Sequence, residues 1–153
     1  MNGHDLVSAL NRLLEAELTA LEYYQIHAES ITQPEIAEGV AAIIPAEQGH
    51  AVSLAVRIRE LGGAPAPAGG PATLRGREMG ETSRAKGTEA MLALELEQEQ
   101  QAIKDYAAHV ADLVDDMVTL EMLEEQLFDE MRHAKWLKQT MMALKADDGR
   151  QGS

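Results

Sequence analysis

The chain has 153 residues, a length typical of one domain with a sizeable core, and 45% of its residues are hydrophobic and 25% charged. Its 26 acidic against 13 basic side chains give a net charge of −13, which argues against nucleic acid as a main partner because phosphate binding needs clustered Lys and Arg. The lack of cysteine excludes disulfides, thiolate metal sites, iron–sulfur clusters and cysteine nucleophiles.

The N-terminal segment has no basic stretch followed by an apolar run, so we expect no signal peptide. No apolar run approaches the length of a membrane span. These features predict a cytoplasmic protein that has no membrane partner. Aromatic residues make up only 3% of the chain, while Ala, Leu, Glu, Gln and Met abound, and this mix favours helix over strand.

The first half of the chain carries two helical stripes, in which apolar residues recur at steps of three and four. The first stripe consists of Leu6, Leu10, Leu13, Leu21, Tyr24 and Ala28, and the second of Ile36, Val40, Ile43, Leu54, Ile58 and Leu61. Pro34 suits the first turn of the second helix, and Pro45 predicts a kink within it. Gly62 and Gly63 end the second helix.

Residues 62–82 are rich in Gly, Pro and Ala and predict a long crossover loop without regular helix. A third helix is expected from Arg84 to Asp115, with the stripe Leu92, Leu96, Ile103, Tyr106, Val110 and Leu113. Asp115 and Asp116 predict a tight turn and a capping oxygen for the fourth helix. That helix has the stripe Leu120, Leu123, Leu127, Leu137, Met141 and Leu144, and residues 147–153 predict a disordered polar tail.

Two short connections therefore flank one long connection. Short connections make the first two helices antiparallel neighbours and likewise the last two, and the long one lets the second pair lie beside the first. The expected fold is all-α: a ferritin-like four-helix bundle over residues 1–146, with two antiparallel helix pairs joined by the crossover.

Each apolar stripe is interrupted near its middle by ionisable side chains. These are Glu17, Glu47 with His50, Glu99, and Glu130 with His133. Burying one unpaired carboxylate costs on the order of several kcal/mol, and four in one core would also repel each other. Because no Lys or Arg stands in the middle of the stripes, a pair of divalent metal ions is the expected compensation.

The spacing of these groups supports a metal site. A Glu and a His three residues apart lie on one face of a helix about one turn apart, so both can point at the same metal or at neighbouring metals. A single Glu-x-x-His pair can arise by chance. Two such pairs on buried stripes, matched by Glu17 and Glu99 on the remaining stripes, are much harder to reach by chance.

Other polar residues are given structural interpretations, with some alternatives left open. Tyr24 and Tyr106 are expected in the core, where their hydroxyls can contact metal-bound carboxylates. His27 lies off the main stripe, and a structural or surface position is favoured over a ligand role. His4 and His109 are expected at the surface, and Trp136 in packing. In the third helix Glu99 is preferred as the ligand, and Glu95 is left open as an assisting residue.

Over nearly its whole length the chain resembles the bacterioferritin branch of the ferritin-like superfamily. The segments that carry the resemblance are AELTALEYYQIHA, AEQGHA, ELEQE and DEMRHAKWL. The resemblance implies two iron ions bridged by Glu47 and Glu130, although manganese or zinc would also suit the ligands. His50 and His133 would be the terminal nitrogen ligands, and Glu17 and Glu99 the terminal carboxylates.

Two departures from the family pattern limit what it implies. Gln48 stands where the family has its haem-ligating Met, so we expect no haem. The polar C-terminal tail lacks the helix that helps to close ferritin cages, so a homo-oligomer of at least two chains is expected rather than a closed shell. Rubrerythrins are a neighbouring family, but their additional glutamate in the third helix would fall at Ala102.

The resemblance implies a ferroxidase-type oxidoreductase that oxidises Fe(II) with O2 or peroxide for iron storage or detoxification. All six predicted ligands would then take part in catalysis. One alternative is peroxide scavenging with two iron or two manganese ions, as in rubrerythrins and manganese catalases. Another is a module that binds metal without turnover.

Overall fold

In the computed structural model, residues 2–151 are described, and their regular structure is entirely α-helical. The helices are α1 (Gly3–Ser30), α2 (Pro34–Glu60), α3 (Pro71–Arg84), α4 (Thr88–Asp112) and α5 (Met117–Gln151). The predicted all-α class is confirmed, and α1, α2, α4 and α5 are the four predicted long helices. Within this part of the chain, no helix is both long enough and apolar enough to cross a membrane.

The four long helices form a bundle of two antiparallel pairs. α1 packs along α2, and α4 packs along α5, as their short connections require. The pairs meet where α1 contacts α4 and where α2 contacts α5. The predicted four-helix bundle with a crossover between its pairs is therefore confirmed.

Side-chain capping fixes the start of α1 and of α5. The Asn2 side chain caps α1 by accepting a hydrogen bond of 2.9 Å from the backbone N–H of Asp5. Asp116 caps α5 in the same way, with 3.0 Å to the N–H of Thr119, so the predicted capping oxygen is confirmed. α2 passes through Pro45 without interruption, which confirms that its two parts form one helix.

The prediction that residues 62–82 contain no regular helix was wrong for the second half of this segment, which forms α3. Pro71 occupies the first turn of α3, where its missing N–H costs nothing. Gly76 and Gly80 lie one turn apart on the face of α3 that meets α1. A Cβ atom at Gly76 would overlap the carbonyl of Thr19, and one at Gly80 would come within 3.1 Å of the Tyr23 Cα. These glycines allow close helix packing and are not helix breakers here.

Three helix boundaries also differ from the expectation, and one of them is the end of α4, which lies at Asp112 rather than Asp115. α4 begins at Thr88 rather than Arg84, because Gly87 adopts a φ of 101°, which separates α3 from α4. α5 continues to Gln151, so the prediction of a disordered tail from residue 147 was wrong for residues 147–151. Residues 152 and 153 of the predicted tail lie outside the described residues.

The core has two apolar clusters at different heights along the bundle. One cluster includes Leu10, Leu54, Ile58 and Leu123. The other includes Tyr23, Val40, Ile43, Leu92 and Leu137. The stripe positions between these clusters are taken by buried Glu and His residues. The fold therefore places a polar layer inside a bundle that is otherwise held together by apolar packing.

Candidate two-metal site

All six predicted ligands meet in the polar layer of the bundle. Five of them are at most 4% exposed, and the His133 side chain is 13% exposed. They form two groups in which the candidate ligand atoms all lie within 4.8 Å of one another. One group is Glu17, Glu47, His50 and Glu130, and the other is Glu47, Glu99, Glu130 and His133. Glu47 and Glu130 belong to both groups, which is the arrangement that two adjacent cations with shared carboxylates require.

Both histidines turn Nδ1 toward the carboxylates. Nδ1 of His50 lies 3.2 Å from Oε1 of Glu130 and 3.4 Å from Oε1 of Glu17. Nδ1 of His133 lies 3.2 Å from Oε1 of Glu47 and 3.6 Å from Oε1 of Glu99. Each histidine therefore reaches a terminal carboxylate of its own group and a carboxylate that the two groups share.

The residues present fit a pair of metal ions. Each of the six side chains holds one buried polar atom that makes no hydrogen bond. These atoms are Glu17 Oε2, Glu47 Oε1, Glu99 Oε2, Glu130 Oε1, His50 Nδ1 and His133 Nδ1. Buried polar atoms without partners are uncommon in folded proteins, and six in one layer fit a positively charged partner.

The charge balance leads to the same conclusion. Burial, followed by the charge of Glu17, raises the pKa of both Glu47 and Glu130 well above the usual range. Burial alone would lower the pKa of His50, but the nearby carboxylates of Glu130 and Glu17 outweigh it and raise this pKa to about 11. Without metal, these residues therefore retain protons that two divalent ions would displace.

Two tyrosines orient the terminal carboxylates from opposite helices. The Tyr24 hydroxyl in α1 donates a 2.5 Å hydrogen bond to Oε1 of Glu99 in α4. The Tyr106 hydroxyl in α4 donates a 2.8 Å hydrogen bond to Oε1 of Glu17 in α1. Burial and the neighbouring carboxylates raise the pKa of both tyrosines, so both remain protonated donors. Both tyrosines lie in the core, as the sequence predicts.

Asp129 is a site residue that sequence reasoning missed. Its Oδ2 atom lies 2.7 Å from Nε2 of His50. A carboxylate on one imidazole nitrogen fixes the ring so that the other nitrogen can bind a metal. Its position directly before Glu130 was the sole signal in the sequence, and that signal does not distinguish it from surface carboxylates.

Glu95 does not join either group of candidate ligands. It is fully buried and contacts Nδ1 of His27 through Oε2 at 2.6 Å. His27 is also fully buried, in agreement with its structural interpretation. His4 is exposed as expected, whereas His109 is only partly exposed and has a buried Nδ1 atom without a hydrogen bond. The Trp136 ring packs against Gly39, as expected for a packing role.

A small cavity between α1 and α4 adjoins the candidate ligands. Its volume is about 50 Å³, and four of the candidate ligands line it, namely Glu17, Glu47, Glu99 and Glu130. Its other lining residues include Ala16, Ala20, Ala102, Gln101 and Asp105. This volume suits one or two water-sized molecules, which is sufficient for a small oxidant.

The donor set determines which metals suit the site. Four carboxylates and two imidazoles would neutralise two divalent ions and supply mixed oxygen and nitrogen ligands. Imidazole ligands favour iron, manganese or zinc over magnesium and calcium, which prefer oxygen alone. The site can therefore hold two transition-metal ions close together.

Comparison with known proteins gives one family and several similar folds. The family model described as "Ferritin-like domain" matches residues 7–146. A ferritin-like, diiron-carboxylate protein from Bacillus anthracis str. Ames shares 24% identity with a TM-score of 0.77, over 92% of this chain and 99% of its own. A dodecameric thioferritin, the bacterioferritin-related protein from Bacteroides fragilis, shares 20% identity with a TM-score of 0.80, over 99% of this chain and 92% of its own. No curated protein matches the sequence significantly.

Proposed function

The chain belongs to the ferritin-like domain family, and we propose that it oxidises Fe(II) with O2 or peroxide for iron storage or detoxification. The observation that carries the proposal is that each of the six candidate ligands has one buried polar atom without a hydrogen bond, all within a single layer. The diiron-carboxylate description of the similar Bacillus anthracis protein supports iron as the metal.

In this proposal Glu47 and Glu130 would hold both iron ions, because both residues belong to both ligand groups. His50 and Glu17 would complete the first position, and His133 and Glu99 would complete the second. Asp129 holds the ring of His50, and Tyr24 and Tyr106 hold the terminal carboxylates. The protein's contribution is to place two reducing ions side by side in a layer that excludes bulk water.

The proposed reaction balances with Fe(II) as the substrate and the electron donor. Two Fe(II) give one electron each to O2, which takes up two protons and leaves as hydrogen peroxide. With hydrogen peroxide as the oxidant, two Fe(II) and two protons give two Fe(III) and two waters. Each turnover therefore moves protons as well as electrons through a buried site.

The test is Fe(II) oxidation by O2, followed by absorbance in the near ultraviolet, in the unaltered protein and in Glu47→Ala/Glu130→Ala. We expect the unaltered protein to oxidise Fe(II) faster than the double variant. Glu38→Ala, which removes a carboxylate from the outer part of α2 away from the ligands, is the matched control and should oxidise Fe(II) at the unaltered rate. Equal rates in all three proteins would contradict the proposal.

The same preparations separate the alternative functions. Turnover of hydrogen peroxide without added Fe(II), by protein that carries two iron or two manganese ions, would identify a peroxide scavenger. Tight metal retention without turnover of either kind would identify a metal-binding module. Elemental analysis of the purified protein gives the metal identity in both cases.

We also propose that the chain forms a homo-oligomer of at least two copies. Val52 and Val56 are 64% and 47% exposed and lie one turn apart on α2, and an apolar surface of this kind is suited to an interface. The similar Bacteroides fragilis protein is described as dodecameric. Light scattering gives the solution mass, and a monomer would contradict the proposal. A cytoplasmic location stays a prediction from the sequence.

A further inference from the structure

Three buried polar residues outside the ligand set form a continuous hydrogen-bonded chain across three helices. Nδ1 of His27 in α1 lies 2.6 Å from Oε2 of Glu95 in α4. Nε2 of His27 lies 2.7 Å from Oγ of Ser83 in α3. Glu95 and His27 are fully buried, and Ser83 is 7% exposed. Both nitrogens of the ring are therefore engaged, with no contact to bulk water.

The hydrogen bonds determine where the protons lie. The Ser83 hydroxyl donates to the carbonyl of Met79 at 2.8 Å, so its oxygen accepts from N–H at Nε2 of His27. Nδ1 of a neutral ring then accepts from a protonated Glu95. The pKa directions agree, since burial lowers the pKa of His27 to about 4, and burial and then Glu99 raise that of Glu95. The pair is neutral overall, with a proton held between two atoms 2.6 Å apart.

One end of this hydrogen-bonded chain, Glu95, lies one helical turn from Glu99 in the two-metal site. Oε1 of Glu95 is buried and makes no hydrogen bond. Glu95 lies one turn before Glu99 on the same face of α4, a rise of about 5–6 Å that one water molecule can bridge. On α1, His27 lies one turn after Tyr24, which donates to Glu99. The ring of Tyr23 also faces His27, with the ring centroids 5.8 Å apart.

The other end of this hydrogen-bonded chain, Ser83, lies next to solvent. Ser83 lines an open cleft of about 620 Å³ between α3 and α4, and Met79, Ala90 and Leu94 supply much of its apolar wall. The charged side chains that line the cleft are Arg75, Glu78 and Lys86. A proton that arrives at the Ser83 hydroxyl therefore meets water in the cleft.

The hydrogen-bonded chain of Glu95, His27 and Ser83 is present on only one side of the two-metal site, which is otherwise built from two similar halves. Glu99, Tyr106 and His109 follow one another at the same intervals as Glu17, Tyr24 and His27. Where Glu95 precedes Glu99 by one turn, Leu13 precedes Glu17, so the second half has no equivalent carboxylate. The equivalent of His27–Glu95 in the other half would be His109 with Leu13, which has no carboxylate.

We propose that Glu95, His27 and Ser83 form a proton relay between the two-metal site and the cleft between α3 and α4. The relay rests on the proposed function, because it serves the protons that metal loading and Fe(II) oxidation move. Outward transfer starts when a proton reaches Oε1 of Glu95, and the proton on Oε2 passes to Nδ1 of His27. The proton on Nε2 passes to Ser83, and the hydroxyl proton of Ser83 passes to water. One proton enters and one leaves, and the reverse steps carry a proton inward.

The test follows proton release when Co²⁺ loads the metal-free protein in a stopped-flow mixer. Co²⁺ needs no oxidant, its visible absorbance reports binding, and a pH indicator reports the protons. In Glu95→Gln and His27→Gln we expect proton release to slow by about tenfold or more, with unchanged final Co²⁺ and proton counts. Glu95→Gln keeps the shape and the neutral charge of the protonated residue and can donate to Nδ1, but it cannot pass a proton on.

His109→Gln is the matched control, because His109 occupies the equivalent position in the second half without a carboxylate partner. It should release protons at the unaltered rate. Unaltered rates in both relay variants, with a lower Tm alone, would overturn the relay and leave the three residues as a structural contact between helices. Failure of the unaltered protein to bind Co²⁺ would contradict the two-metal site and the relay together.

Discussion

Nε2 of His50 lies 2.7 Å from Oδ2 of Asp129, and no described residue makes the equivalent hydrogen bond to Nε2 of His133. The residue directly before Glu47, which corresponds to Asp129 before Glu130, is Ala46. The His133 side chain is also more exposed than the His50 side chain, at 13% against 5%. The two candidate metal positions are therefore chemically unequal, although their candidate ligands are of the same types.

This inequality predicts different affinities for the first and second metal ion. In Asp129→Ala the ring of His50 loses its orienting acceptor, so affinity at the position of His50 and Glu17 should fall about 10–100-fold. The position of His133 and Glu99 should change less, because no contact there is lost. Titration of the metal-free protein with Co²⁺, followed by calorimetry, measures both steps.

The control for this prediction is Glu125→Ala. Glu125 lines the same surface recess as Asp129 and carries the same charge, but it makes no contact with His50. If Glu125→Ala lowered Co²⁺ affinity as much as Asp129→Ala, the effect would come from the surface charge and not from ring orientation.

The packing of Trp136 on Gly39 predicts opposite effects at two glycines of α2. A Cβ atom at Gly39 would overlap the indole ring, so Gly39→Ala should destabilise the protein by about 1–3 kcal/mol through overpacking. Gly49 is exposed in the same helix, and a Cβ atom added there would meet no neighbouring group within 4 Å, so Gly49→Ala should stabilise by about 0.5–1 kcal/mol. Urea unfolding of the metal-free protein measures both, and the same sign at both positions would contradict the packing argument.

Asp116 predicts a pH dependence of stability. Burial would raise its pKa, but hydrogen bonds from Thr119 and Arg57 outweigh this effect and lower the pKa to about 2. A lowered pKa in the folded state stabilises the protein above the unfolded value of about 4, and this contribution is lost as the pH falls toward 2. Because the side chain is partly exposed, we expect Asp116→Asn to cost only about 1 kcal/mol at pH 7.

The measurement is urea unfolding of the unaltered protein and Asp116→Asn at several pH values. The difference in unfolding free energy should be constant from pH 7 to about 5 and shrink as the pH falls from about 4 toward 2. Asp115→Asn removes the same charge from an exposed neighbour and should show a much smaller difference. A difference for Asp116→Asn that stayed constant down to pH 2 would contradict the role of its ionised carboxylate.

The sequence by itself determined the four long helices and the six residues that meet in the polar layer. Both follow from one periodic signal, because a buried helix face shows its apolar residues and the polar residues among them at the same spacing. Glu17 and Glu47 stand out for this reason, and the tertiary structure brings them together. Their binding of metal is still a prediction.

Only the tertiary structure decided what depends on contacts between distant segments. Gly76 and Gly80 indicate a loop in isolation, yet they let α3 approach α1, since a backbone contact is invisible to local propensity. Asp129 resembles any surface carboxylate until α2 brings His50 to it. The sequence leaves Glu95 open as an assisting ligand, and the structure places its Oε2 atom against His27 instead. Periodicity reports which face of a helix is buried, but the partner across that face is decided by how the helices pack.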